Sequence, residues 1–93
     1  MIKSYANKLT EKVAVGEFSK KLPSSIRTRA LMRLVQLDNA HDLDDLRLPS
    51  SNQLEKLGGD RKGQHSIRIN KQWRVCFKFK NGDAFNVETT DYH

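Results

Sequence analysis

Apolar and polar positions alternate through the stretch from Gln64 to His93. Ile67, Ile69, Trp73, Val75, Phe77, Phe79, Phe85 and Val87 recur at a period of two, with Arg68, Arg74 and Lys78 between them. That pattern predicts three short antiparallel strands with one face in a core and the other a basic floor. Asn81-Gly82 marks the hairpin between the last two strands. A two-residue loop pairs Lys80 with Asp83 and mixes the faces. A three-residue loop, Lys80-Asn81-Gly82, sets Phe77 opposite Phe85 and Val75 opposite Val87. A one-residue slip turns every side chain over, so the apolar pattern selects the second register. Arg74, Cys76 and Lys78 are then expected to share a polar face with Asn86, Glu88, Thr90 and Tyr92. A cation, a carboxylate, a phenol and an imidazole are expected to converge where Arg74 meets Asp91, Tyr92 and His93.

The first half of the chain carries a helical period. Met1 to Tyr5 reads as a short opening strand with Ile2 facing inward. Ala6, Leu9 and Val13 then mark a short amphipathic helix, capped by Ser4 or Asn7 and ended at Gly16. Ile26, Ala30, Leu34 and Leu37 mark a longer helix that starts at Ser24 or Ser25 and reaches Leu37 or Asn39. Its arginines, Arg29 and Arg33 among them, read as a solvated outer face that a partner can still use. Asp42 suits the start of a short helical turn around Leu43 and Leu46, because carboxylates favour a helix N-terminus. Pro49 to Gly63 reads as a loop that carries Lys56, Arg61 and Lys62 beside the sheet. The order strand, helix, helix, loop, three strands predicts an α+β fold: a small antiparallel sheet with two N-terminal helices packed on one face.

The 93 residues suit one domain, 1–93, with a formal net charge of +6. The charge is concentrated. Between Leu54 and Lys80 eight lysines and arginines face two acids, which accounts for the whole excess. Lys56, Arg61, Lys62, Arg68, Lys71 and Lys78 are thus the candidate contacts for a polyanion such as RNA. The other account of the same charge is a solvated basic face. A lone cysteine, Cys76, excludes a disulfide scaffold and reads as a small buried filler in a reducing cytoplasm. The aspartate pair Asp44-Asp45 and the three histidines lack metal-ligand spacing, so no metal or cofactor is expected. No apolar run suits a signal peptide or a membrane span.

The opening Met1-Ile2-Lys3-Ser4, the stretch PSSNQLEKLGGDRKGQHSIRINKQWRVCF and the terminal Asp91-Tyr92-His93 together resemble the HigB toxins. These form the plasmid-maintenance killer branch of the RelE superfamily. The resemblance covers essentially the whole chain. It implies a small antiparallel sheet flanked by helices and a ribosome-dependent activity that cuts messenger RNA and arrests translation. It also implies a cognate HigA-type helix-turn-helix antitoxin, through which alone operator DNA would be met. Carried over residue by residue, it places catalysis on Arg74, Asp91, Tyr92 and His93 and a codon contact on Gln72. The chain departs from the pattern at Glu55, where some relatives carry histidine, and at Gly58, where lysine is usual; Lys56 is the expected substitute for the missing charge.

The chemistry implied needs no cofactor. Attack by a ribose 2′-hydroxyl requires a proton acceptor, a donor to the leaving 5′-oxygen and a cation on the phosphate. An imidazole such as His93 titrates at about 6.5 and can serve either proton step. Asp91 can orient it or act as base, Tyr92 can stack or donate, and Arg74 can hold the phosphate in a planar fork. A terminal Asp-Tyr-His taken alone is equally well a polar tail. The competing reading is a binding module: a weakened toxin that docks on antitoxin or ribosome and mainly tunes operon regulation.

Overall fold

The computed structural model describes residues 1–91; Tyr92 and His93 lie outside the described residues. Helix α1, Lys8–Ala14, starts where the Asn7 side chain accepts the Thr10 amide at 2.9 Å, one of the four amides a helix start leaves unpaired. Gly16, at φ 82°, turns the chain away after it. Ser24 and Ser25 do not cap the long helix as expected. Pro23 fixes a turn-ready φ of −53°, and Ser24–Ile26 already forms a 3₁₀ turn that runs into α2, Arg27–Asn39, without a side-chain cap. The Asp42 expectation holds: its carboxylate accepts the Asp45 amide while the Asp45 carboxylate accepts the Asp42 amide, closing a capping box over the turn Leu43–Arg47.

Four antiparallel strands form one sheet in chain order: β1 Glu55–Lys56, β2 His65–Arg68, β3 Trp73–Lys80 and β4 Asp83–Asp91. The fold class read from periodicity is thus the one observed. The opening stretch contributes differently from a regular strand. It runs beside β4 through two isolated parallel bridges, Ile2 to Ala84 and Tyr5 to Val87. The sheet's fourth strand comes instead from β1, a pair of charged residues without an apolar period.

The hairpin corrects the expected register. Asn81 and Gly82, at φ 52° and 82°, form a two-residue turn that pairs Lys80 with Asp83 and Lys78 with Phe85. Between Lys78 and Cys76 the register then slips by one residue, so Cys76 meets Glu88, Val75 meets Thr89 and Arg74 meets Thr90. The extra residue is a bulge on β4 with Asn86 at φ 52°. The bulge resolves the face-mixing that made a two-residue loop look unfavourable. Ala84 before it and Val87 after it are both fully buried, although an unbroken strand would send them to opposite faces. Phe85 lies on the polar side, opposite Lys78.

The core lies between the helices and one sheet face. Val13, Leu22, Ile26, Ala30, Leu34 and Leu37 pack with Ile67, Ile69, Trp73, Val75, Phe77 and Val87 in one apolar cluster. Each large side chain so buried contributes about 1.5–3 kcal/mol. The outer edge of β4 is covered in sequence. Ala84 and Val87 exchange backbone hydrogen bonds with Met1–Ala6, the Ser4 hydroxyl accepts the Asn86 amide, and Thr10 Oγ1 accepts the buried Thr89 amide at 2.8 Å. Among the described residues no helix is long and apolar enough to cross a membrane.

Candidate active site

Arg74 stands on the sheet face turned away from the helices, at the end where β4 finishes. Residues paired across neighbouring strands share a face, so Arg68, Arg74 and Thr90 form one row and Glu55, Ser66, Cys76 and Glu88 the next. Arg74 is only 8% exposed. Its Nε donates to the buried Ser66 hydroxyl at 2.7 Å and its Nη2 to the Gln53 carbonyl at 2.6 Å. Gln53 is left-handed, at φ 43° and ψ 59°, a conformation that costs a non-glycine residue about 1–2 kcal/mol. The buried Asn52 side chain holds the preceding turn in place, donating to Gln36 Oε1 at 3.0 Å and to the Leu46 carbonyl at 3.1 Å. The 50–53 segment thus aims a carbonyl at the guanidinium. Among the described residues Nη1 donates no hydrogen bond, which leaves that corner of the fork uncommitted.

The Glu55 carboxylate lies 3.8 Å from Arg74 Nη2. Lys56, the substitute cation expected beside this carboxylate, stands on the other face of β1. Lys56 pairs with His65, and strand alternation puts Glu55, not Lys56, on the Arg74 face. Lys56 instead acts on His65, whose pKa is held below the usual imidazole range by burial first and by the Lys56 charge second. His65 Nδ1 is buried with no hydrogen-bond partner among the described residues, and the ring lies 6.4 Å from that of Phe77.

Asp91 ends β4 opposite Trp73, one residue past the Arg74–Thr90 pair. Alternation sends the Asp91 side chain to the face opposite that of Arg74 and Thr90. Gln72 meets Asp91 directly, its Nε2 donating to Oδ2 at 3.0 Å. The turn before it is set by Asn70, whose Oδ1 accepts the Gln72 and Trp73 amides at 2.8 and 2.7 Å. The sequence-nominated Gln72 and Asp91 are therefore brought together, with Arg74 on the neighbouring row. The roles expected of Tyr92 and His93 fall outside the described residues.

The nominated cations divide into three groups. Arg61 reaches the polar face, where its Nη1 meets Glu88 and Gln64 at 3.1 Å each, with Lys62 exposed beside it. Arg68 sits directly opposite Arg74, and Lys71 is exposed in the turn that Asn70 shapes. Lys78 lies four residues from Arg74 toward the hairpin, roughly 13 Å by strand rise, and is apart from the rest. Sequence reasoning missed Ser66 and the Gln53 carbonyl, the groups that fix Arg74, and named Glu55 only as a departure from the family pattern. A small buried serine inside β2 and a backbone carbonyl after the 50–52 turn carry no sequence signal that points to Arg74; the pairing of β2 with β3 and the path of that turn bring them there. Among the described residues no three His, Cys, Asp or Glu side chains gather as metal ligands.

Known proteins resemble this chain in both sequence and fold. Toxin HigB-1 of Vibrio cholerae is 45% identical over 66 residues, 71% of this chain and 70% of that one. Endoribonuclease HigB of Proteus vulgaris is 33% identical over 93 residues, the full length of both. In fold, a YafQ mutant from E. coli superposes with a TM-score of 0.68 at 17% identity, covering 98% of this chain and 91% of that one. The YoeB–YefM complex from Staphylococcus aureus gives 0.62 at 16%, covering 100% and 95%. Residues 3–93 match the family described as the RelE-like toxin of type II toxin–antitoxin system HigB. A cation fixed at the end of a four-stranded sheet, a basic segment, a family match over residues 3–93 and a relative alike over its full length thus meet in one assignment: the chain belongs to the HigB-like family of RelE-like type II toxins.

Proposed function

We propose that the chain is the toxin of a type II pair and acts as an endoribonuclease on messenger RNA in the ribosome, in the cytoplasm, until a HigA-type helix-turn-helix antitoxin binds it. Operator DNA is then met only through that antitoxin. The observation that carries the reading is Arg74. In a chain of this family it stands at the sheet end where β4 finishes, paired across the strands with Thr90 and one residue from Asp91, its Nε and Nη2 already held. Arg74 would hold the charge that grows on the scissile phosphate. His93, with Asp91 or Tyr92, would take the 2′-hydroxyl proton and return one to the leaving 5′-oxygen. Gln72 would contact the codon, and Arg61, Lys62, Arg68 and Lys71, with Lys56 and Lys78 further out, would hold the backbone. Positioning by the ribosome can supply about 7–11 kcal/mol of such a barrier. Naked messenger is therefore a poor substrate and programmed ribosomes are the effective one.

The test is to sequence the cut ends. Attack by the 2′-hydroxyl leaves a 2′,3′-cyclic phosphate upstream and a free 5′-hydroxyl downstream. A 5′-phosphate, or equal cutting of naked and ribosome-bound messenger, overturns the proposal. The Glu55–Arg74 contact favours one second reading, a weakened toxin that serves mainly as a binding module for antitoxin or ribosome. Unchanged growth on induction, with antitoxin binding intact, would select it.

A further inference from the structure

Between α2 and the turn joining β2 to β3 lies a cavity of about 330 Å³. Arg29, Arg33, Arg68 and Lys71 line it, with Ser51 and Asn70, and among the described residues no acidic side chain does. None of the four cations makes an ion pair among the described residues, whereas Arg47, Arg61 and Arg74 each have a carboxylate partner. Two of the four are anchored. Arg33 Nε donates to the Arg68 carbonyl at 2.9 Å, and Arg68 Nε donates to the Asn70 carbonyl at 3.0 Å. Arg29 stands one helical turn before Arg33, on the same face of α2, and its Nη1 approaches the Ile69 carbonyl at 3.5 Å. Burial first, and the Arg29 charge second, hold the Arg33 pKa below its ordinary value. Four like charges gathered without a counter-ion repel one another, and an anion placed among them relieves that repulsion.

We propose that this cavity is a second phosphate subsite, binding a phosphodiester of the RNA backbone beside the linkage that is cut. The inference rests on the endoribonuclease reading and extends it. Arg68 connects the two places: it lines the cavity and is also the cross-strand partner of Arg74. Gln72, adjacent to Lys71 in the same turn, meets Asp91. An RNA strand with one phosphate at Arg74 thus passes the mouth of the cavity with another. Guanidinium forks match phosphate oxygens two at a time, and the Ser51 hydroxyl adds a neutral donor.

The experiment titrates the purified full chain with inorganic phosphate and with a 2′-O-methyl RNA hexamer, which cannot be cut. Nitrogen-15 spectra report the Arg33 Nε group and the Asn70 and Lys71 amides. Both probes are expected to shift these signals saturably. Arg29→Gln combined with Lys71→Gln is expected to weaken the hexamer three- to tenfold. It should also reduce the slope of log affinity against log salt by about 0.7 for each phosphate no longer neutralised. Both side chains are exposed, so the fold should survive their replacement. Lys20→Gln, on the exposed segment before α2, serves as control and is expected to change neither. Silent signals at the cavity, wild-type affinity and slope in the double variant, or polyglutamate binding there as tightly as RNA would each overturn the subsite. Cleavage on programmed ribosomes is followed in parallel. A chain that cuts while the cavity stays silent refutes the subsite alone. A chain that never cuts refutes the enzyme reading and leaves the titration to judge the cavity.

Discussion

Arg74 is both a buried structural residue and the best-placed cation of the proposed site, and substitutions can separate the two roles. Arg74→Lys keeps the charge but loses the planar fork, so it cannot satisfy Ser66 and the Gln53 carbonyl and also present a further corner. It is expected to lower cleavage on programmed ribosomes by about 10²–10³-fold, the scale of one lost transition-state donor. It should cost stability too, about 1–3 kcal/mol for polar groups left unpaired. A denaturant melt beside the rate assay reads both. Glu55→Gln removes the carboxylate that competes with phosphate for Arg74, and should raise cleavage several-fold with little change in stability, the carboxylate being largely exposed. A loss of rate instead would mean that Glu55 orients Arg74. His65 supplies a pH signature. Its folded pKa is lowered, so the unfolded chain takes up the proton more readily, at about 6.5. Its contribution to stability is complete above that pH and lost below it, as only the unfolded state gains a proton. The denaturant midpoint should therefore fall between about pH 7.5 and 5, and His65→Gln should flatten that fall.

At the level of elements, the period of two located β2, β3 and β4, and the period of 3.6 located both helices. The register of β4 was also within reach. Ala84 and Val87 are both apolar at an odd spacing, which one regular strand cannot bury on one face, so a bulge between them was the alternative to a longer loop. Strand β1 was not legible, because Glu55 and Lys56 carry no hydrophobic pattern and are drawn into the sheet only by pairing with Ser66 and His65. The α2 arginines looked like a solvated face because their partners, the carbonyls of Arg68 and Ile69, have no side-chain signature. Asn86 makes the bulge testable. Its left-handed φ of 52° suits asparagine or glycine. Asn86→Gly should leave the thermal midpoint nearly unchanged, whereas Asn86→Val should cost about 1–2 kcal/mol. Equal stability of the two would show that the bulge relaxes to another register.

At the level of the whole molecule, Arg68, Lys71 and Arg74 lie at the end of the sheet where β4 finishes, and the +6 charge of the chain is available for steering toward a polyanion. The covering of β4 by residues 1–6 and Thr10 bears on assembly. A sheet with a bare margin invites a strand from another chain, the route to augmentation by a partner's tail and to fibrils. Here the outward amides of Ala84, Asn86, Val87 and Thr89 are already spoken for within the chain. The opposite margin is β1, two residues long. An antitoxin must therefore grip this toxin by its faces or its loops rather than lengthen its sheet at β4. The Ala84, Val87 and Thr89 amides should exchange slowly with deuterium in the free toxin and at the same rate in its complex; marked further protection there would mean that the partner had displaced the opening segment and taken its place.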